Sequence, residues 1–309
     1  MTLRIILQQR KLNDRSKNLS SPKSFRYIPI LLAVLFWGTS FVATKTALLE
    51  IKPVTVIILR LILATTLLTI IALYTKRNFS INLKSHGWIL ILAMIATFHL
   101  WIQVTGLQYT TASNTGWIIG TAPIFMAILG LIFFKEKVTL LQMAGILIAM
   151  FGLLLLIGKG NILNIDLIKN KGDLLVLGSA FTWGVYSMVN KKISLSYSPL
   201  MTILYLFLLM LIIITPFNLN SEAINSVIHL SFIGWISILF LGLFCSGIAY
   251  VIWARALRDM ESAKVGAFLY FEPFVTVLAA WFFLNEVITL MMIASGLLIT
   301  VGVFIVNKE

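Results

Sequence analysis

Between residues 28 and 306 the chain passes through ten apolar stretches, each of a length that crosses a bilayer as a helix. They lie near 28–48, 54–74, 87–107, 112–134 and 139–157, then near 174–192, 198–216, 231–254, 262–284 and 288–306. A bilayer core needs about 20 apolar residues in helical form. In lipid, only helices and closed barrels satisfy their own backbone groups, and lone Gly or Pro residues are tolerated in a helix there. The pattern predicts an all-α integral membrane protein. The division between the fourth and fifth stretches is the least marked, because only Lys135, Glu136 and Lys137 interrupt it.

Composition excludes the soluble alternatives. Hydrophobic residues make up 60% of the 309 and charged residues 11%, whereas soluble domains carry about 25% charged residues. A net charge of +13 would suggest nucleic acid in a soluble protein. Here the cations fall in short runs between apolar stretches, as membrane flanks do, so no nucleic-acid partner is expected. The lone Cys245 rules out an intrachain disulfide or a cysteine cluster. His86, His99 and His229 are widely spaced and show no ligand pattern, so neither a metal nor a cofactor is expected. GKGNILNID at 158–166 lacks the order of a phosphate-binding loop.

The cations also orient the chain. With the N-terminus inside, 18 Lys and Arg residues fall on inner segments and five on outer ones. Without the basic arm 1–27 the balance is still 11 to five, which predicts cytoplasmic termini and a multi-pass protein of the cell (inner) membrane. The arm lacks a small-x-small cleavage site and reads as a cytosolic extension, not a signal peptide.

The chain also contains an echo of itself. GWIIGTAPIFMAILGLIFFKEKVTL from Gly116 returns 150 positions later as GAFLYFEPFVTVLAAWFFLNEVITL from Gly266. Trp37, Gly38 and Lys45 return as Trp183, Gly184 and Lys191 at an offset of 146. A repeat of 28–157 in 174–306, joined by the polar segment 158–173 and followed by a tail at 307–309, has five spans per copy. An odd number makes the second copy enter the membrane upside down, the inverted repeat of many carriers.

These segments carry a family resemblance. FWGTSFVATK at 36–45, LRLILA at 59–64, TAPIFMAILGLIFFKEKVTLLQMAGILIAMFG at 121–152, GIAYVIWARAL at 247–257 and FEPFVTVLAAWFFLNEVITLMMIASGLLITVG at 271–302 resemble the drug/metabolite transporter superfamily, EamA branch. The resemblance covers nearly all of the chain after residue 28. It implies ten helices in two inverted five-helix halves and export of small metabolites, amino acids among them. Lys135 and Asn285 depart from the commonest form, which at the second of these positions often has glycine, and the departures bear on a helix end.

Polar groups inside apolar spans mark where a solute would pass. Arg60 lies about one and a half turns, roughly 9 Å, into the second span; it either grips a carboxylate or snorkels to the interface. Glu272, just before Pro273, either binds a proton or an amine or is satisfied locally. Pro123 and Pro273 hold equivalent positions and kink their helices, and Glu136 and Glu286 either cap the following helices or join gate salt bridges. Lys45 and Lys191 are flank anchors or gate residues. The aromatic and amide candidates for the pathway are Trp37, Trp101, Gln103, Asn114, Trp117, Trp183, Tyr186, Asn190, Tyr250, Trp253 and Tyr270, with Trp37 and Trp183 the leading pair. Gly116, Gly120, Gly145, Ala149 and Gly152 form small-residue packing faces.

The resulting expectation is a secondary exporter of small metabolites working in the lipid bilayer. Coupling to protons and assembly into homo-oligomers stay open. A membrane-embedded enzyme acting on a lipid-linked substrate, or a structural membrane protein, are the alternatives.

Overall fold

The computed structural model describes residues 27–79, 86–157, 170–218, 220–284 and 290–308. The basic arm, most of the polar linker and Glu286 lie outside the described residues. The described residues form ten helical rods. The first half has Ile28–Ala47, Pro53–Tyr74, His86–Tyr109, a fourth rod in two pieces (Ala112–Ile119 and Ala122–Phe134), and Leu140–Ile157. The second half has Lys171–Ser194, Pro199–Ile214, an eighth rod from Phe232 to Asp259, a ninth from Ser262 to Leu284, and Leu290–Asn307.

Seven rods are long and apolar enough to cross a membrane, and the fifth and tenth are shorter apolar helices. The sixth, at 24 residues, equals the third rod on which it packs. Its hydropathy is lowered by Asp173, Ser179, Ser187 and Asn190, all of which are turned fully into the protein. The protein is therefore an all-α, multi-pass membrane protein.

Local chemistry sets where the rods start. Pro53 and Pro199 open the second and seventh at the one helical turn where a missing N–H is harmless. Thr111 and Ser231 accept from the N–H groups of Asn114 and Gly234. Asn170 and Asp173 form a reciprocal capping box at the sixth.

The two halves are related by an antiparallel pairing of like with like. A Cβ built on Gly145 falls 2.7 Å from the Gly302 carbonyl, and one on Gly152 falls 2.9 Å from the Ser295 carbonyl. At the repeat offset of 150, Gly145 corresponds to Ser295 and Gly152 to Gly302. Each glycine therefore meets the counterpart of the other, which requires the fifth and tenth rods to run in opposite directions. The same exchange appears at the centre, where Gly116 abuts Thr276 and Gly266 abuts Met126. Packing between other rods also survives a swap of the halves: third on sixth matches eighth on first, and fourth on sixth matches ninth on first. The repeat is inverted, as the odd span count predicts.

The fourth and ninth rods break at equivalent points. The fourth stops at Ile119 and resumes at Ala122; the ninth tightens into a 3-10 turn over Phe268–Tyr270. Each break ends just ahead of Pro123 or Pro273, which cannot donate to the carbonyl four residues back. Two features go beyond the sequence reading. Residues 217–230, read as a loop, contain the helix Ser221–Ile228, which Asn220 caps and which leaves Ile224 and Ile228 exposed. The eighth rod contains a π-helical stretch, Leu241–Ile248.

Candidate functional site

A cavity of about 40 Å³ lies among the first, second, third, fourth, sixth, eighth and ninth rods. Its wall takes Trp37, Ser40 and Thr44 from the first rod, Arg60 from the second, and His99, Gln103 and Leu107 from the third; Ile119 comes from the fourth. The second half adds Trp183, Tyr250 and Glu272. Both copies of the repeat thus build one chamber.

The third rod shows how helical spacing selects these residues. His99 and Gln103 are four apart and share the inner face, as do Leu100, Val104 and Leu107. Trp101 is two residues from Gln103, on the far side of the helix. It is turned to the outer surface beside Phe98 and lines an outer groove with Met94 and Phe217. The structure places it away from the chamber.

Three rings from the two halves meet at the chamber wall. Trp37 and Trp183 meet edge to face at 5.0 Å between centroids, and Tyr250 stands 5.7 Å from Trp37 and 5.6 Å from Trp183. Tyr186 stacks on Trp183 from behind, and Trp253 leans on Trp37. These two back the wall and do not line it. Asn190 donates to the Tyr186 hydroxyl at 3.2 Å and accepts from Ser194.

Two groups of opposite formal charge face this aromatic lining. Arg60 is 4% exposed and its Nε donates to Ser246 Oγ at 2.8 Å. It does not snorkel; the Ser246 bond holds it inside. Glu272, also 4% exposed, receives no side-chain hydrogen bond or ion pair among the described residues, and Thr276 donates only to its main-chain carbonyl. His99 completes the polar set. Its Nδ1 lies 3.0 Å from the Ser179 carbonyl, which can only accept, so Nδ1 carries a proton.

The remaining candidates lie elsewhere. Asn114 is buried in a cluster at one end of the bundle, donating to Asp173 at 2.6 Å and to Thr110. Trp117 is half-buried outside the chamber wall, and Tyr270 is fully buried beside the ninth-rod break. Asn114 and Trp117 share the piece Ala112–Ile119 with the chamber residue Ile119 but lie off the wall, and Tyr270 sits in the 3-10 turn before Glu272.

The two ends of the bundle are fastened by equivalent lysines. Lys45 donates to the carbonyls of Leu107, Gln108 and Thr110, closing the end of the third rod. Lys191, its counterpart at the opposite end, donates to Glu136 at 2.5 Å, to the Met260 carbonyl and to Ser262 Oγ. Glu136 also accepts from the Ser262 N–H, so it caps the ninth rod and not the helix after it. That helix is capped by Thr139 with Gln142.

The comparisons with known proteins agree with this architecture. Residues 25–158 and 170–308 each match the EamA-like transporter family, one match per half. The chain belongs to that family. An uncharacterized transporter of Archaeoglobus fulgidus is 29% identical over 92% of this chain and 97% of its own. A protein of Salmonella typhimurium described as a probable amino-acid metabolite efflux pump is 28% identical, with coverage of 89% and 92%. A solved crystal structure superposes with a TM-score of 0.74 at 15% identity over 93% of this chain and 97% of that one; it shows the fold alone. In EamA terms, the quoted motif FWGTSFVATK supplies Trp37, Ser40 and Thr44 to the chamber and Lys45 to the fastening above it.

His99, Ser40, Thr44 and Ser246 were not singled out by sequence reasoning. His99 was weighed only as a metal ligand; its four-residue spacing from Gln103 is the signal that places it.

Proposed function

We propose that this chain is a secondary transporter that exports small metabolites, amino acids and related amphipathic solutes in particular, by alternating access. The observation that carries the reading is the chamber itself. It is built by both inverted halves, and it presents a buried guanidinium and an unbonded carboxylate beside a cluster of rings. Such a pair complements a zwitterion, with Arg60 facing the carboxylate and Glu272 the ammonium. The rings favour an apolar or cationic remainder.

At about 40 Å³ the chamber has room for a few waters, whereas small-molecule sites span roughly 300–1,000 Å³. Admission of a solute therefore requires movement of rods. The paired proline breaks, and the lysine fastenings at opposite ends, are where the halves would rock. We place both termini in the cytoplasm and the protein in the cell membrane, on the excess of cations at that side. The names of the amino-acid metabolite efflux relatives support the solute class.

Uptake of amino acids into inside-out vesicles, with and without a proton gradient, tests the reading. Saturable uptake that falls with Arg60→Gln and with Glu272→Gln supports it. If Glu272→Gln loses only the gradient-driven part, the carboxylate carries the proton; if it loses exchange as well, the carboxylate binds solute. Uptake indifferent to both substitutions removes the chamber from the pathway.

A further inference from the structure

A second cavity has chemistry unlike the first. At the Lys191 end, a groove of about 500 Å³ opens between the second, seventh and eighth rods. Three arginines lie on it: Arg77 after the second rod, and Arg255 and Arg258 near the end of the eighth. Below them the wall is apolar, from Ile71, Leu200 and Val251. Arg77 is carried by a tight turn in which Lys76 has φ 49° and the Arg77 N–H bonds back to Ala72 at 2.9 Å. Arg258 is shared with Asp259 at 2.9 Å, while Arg77 and Arg255 are exposed and make no ion pair among the described residues. Ser198 opens the seventh rod at the groove without a side-chain cap, which leaves the positive end of that helix facing the arginines.

We propose that this groove holds one anionic phospholipid, its phosphodiester under Arg77 and Arg255 and an acyl chain along Ile71 and Val251. A free anion would use the arginines but not the apolar wall. A zwitterionic lipid would use the wall but gain little from the cations. Only a lipid with net negative charge matches both. The site is separate from the transport chamber and does not depend on what that chamber carries.

Native mass spectrometry of the full chain, titrated with phosphatidylglycerol, phosphatidylcholine or inorganic phosphate, tests the proposal. Phosphatidylglycerol is expected to bind selectively and to raise the melting temperature. Arg77→Gln with Arg255→Gln should weaken it about thirtyfold, from roughly fivefold per arginine near a membrane surface. Val251→Trp, which narrows the acyl path and keeps the arginines, should weaken it as well. Gel filtration confirms that each variant is folded. Unchanged phosphatidylglycerol affinity in both variants overturns the proposal. So does inorganic phosphate that binds as tightly and displaces the lipid, because the site is then one for a free anion.

Discussion

Trp37 and Trp183 occupy the same position in the two halves and touch edge to face, yet only one indole N–H is bonded. Trp37 Nε1 donates to the Cys245 carbonyl at 2.9 Å, within the π-helical stretch of the eighth rod. Trp183 Nε1 is buried with no partner among the described residues. The counterpart residues are therefore divided between fastening and display.

That difference is measurable. Trp37→Phe leaves the Cys245 carbonyl without its donor and should cost about 1 kcal/mol more stability than Trp183→Phe, which removes similar bulk. Thermal melts in detergent check the order, and uptake assays should show Trp183→Phe impaired at near-native stability. Equal melting losses would put both indoles in the same structural role.

The Lys191–Glu136 pair is nearly buried, with side chains 9% and 11% exposed. Removing one partner strands the other, so Lys191→Met or Glu136→Gln should each cost about 3 kcal/mol. The double variant should cost less than the sum of the singles. A double-mutant cycle on melting free energies reads the coupling; strict additivity would mean the contact holds nothing together.

The seam between the fifth and tenth rods is backbone against backbone. A Cβ on Gly302 would fall 2.5 Å from the Ala149 nitrogen, so Gly302→Ala should destabilise by about 1–3 kcal/mol through forced separation. Gly87 has nothing within 4 Å of its Cβ position, and Gly87→Ala should be neutral or gain up to about 1 kcal/mol. Paired melting curves decide between seam packing and generic helix propensity.

Lys135 ends the fourth rod with φ 52°, in the left-handed region. Lys135→Gly should stabilise by about 1 kcal/mol by relieving that backbone. Lys137→Gly, where no positive φ applies, is the control and should not.

Glu50 lies between the first and second rods and accepts from Ser231 N and Ser231 Oγ, each at 2.7 Å. Those bonds hold its carboxyl below the usual value of 4.5. Because the folded value is the lower one, the stabilisation is present above pH 4.5 and is lost as pH falls through the folded value. Melting temperature against pH should show wild type converging on Glu50→Gln in acid. A gap that stays constant with pH would deny the linkage.

The rods, their inversion and the leading tryptophan pair were legible in the sequence because a bilayer forces ten apolar runs and the echo fixes which positions correspond. Both Trp101 and Gln103 read as pathway residues; helical spacing says that they face apart, and the structure shows which of the two faces the chamber. Residue type alone also misplaces Asn114 and Trp117, which share a helical piece with Ile119 but lie outside the chamber wall. It also misses contacts between elements far apart in sequence. Nothing local announces that Glu136 reaches Ser262, or that Ser246 holds Arg60. The π-helical stretch has no sequence signature of its own. The helix Ser221–Ile228, whose Ala223, Ile224, Val227 and Ile228 share a face, is passed over in a search for spans because about two turns are too short to cross a membrane.

The smallness of the chamber has a consequence for the membrane that houses it. About 40 Å³ ringed by Trp37, Trp183 and Tyr250 admits a few separate waters. So small a chamber predicts that liposomes crowded with the protein keep an imposed proton gradient as well as protein-free ones do. The same measurement would show whether a membrane can carry many idle copies without leakage.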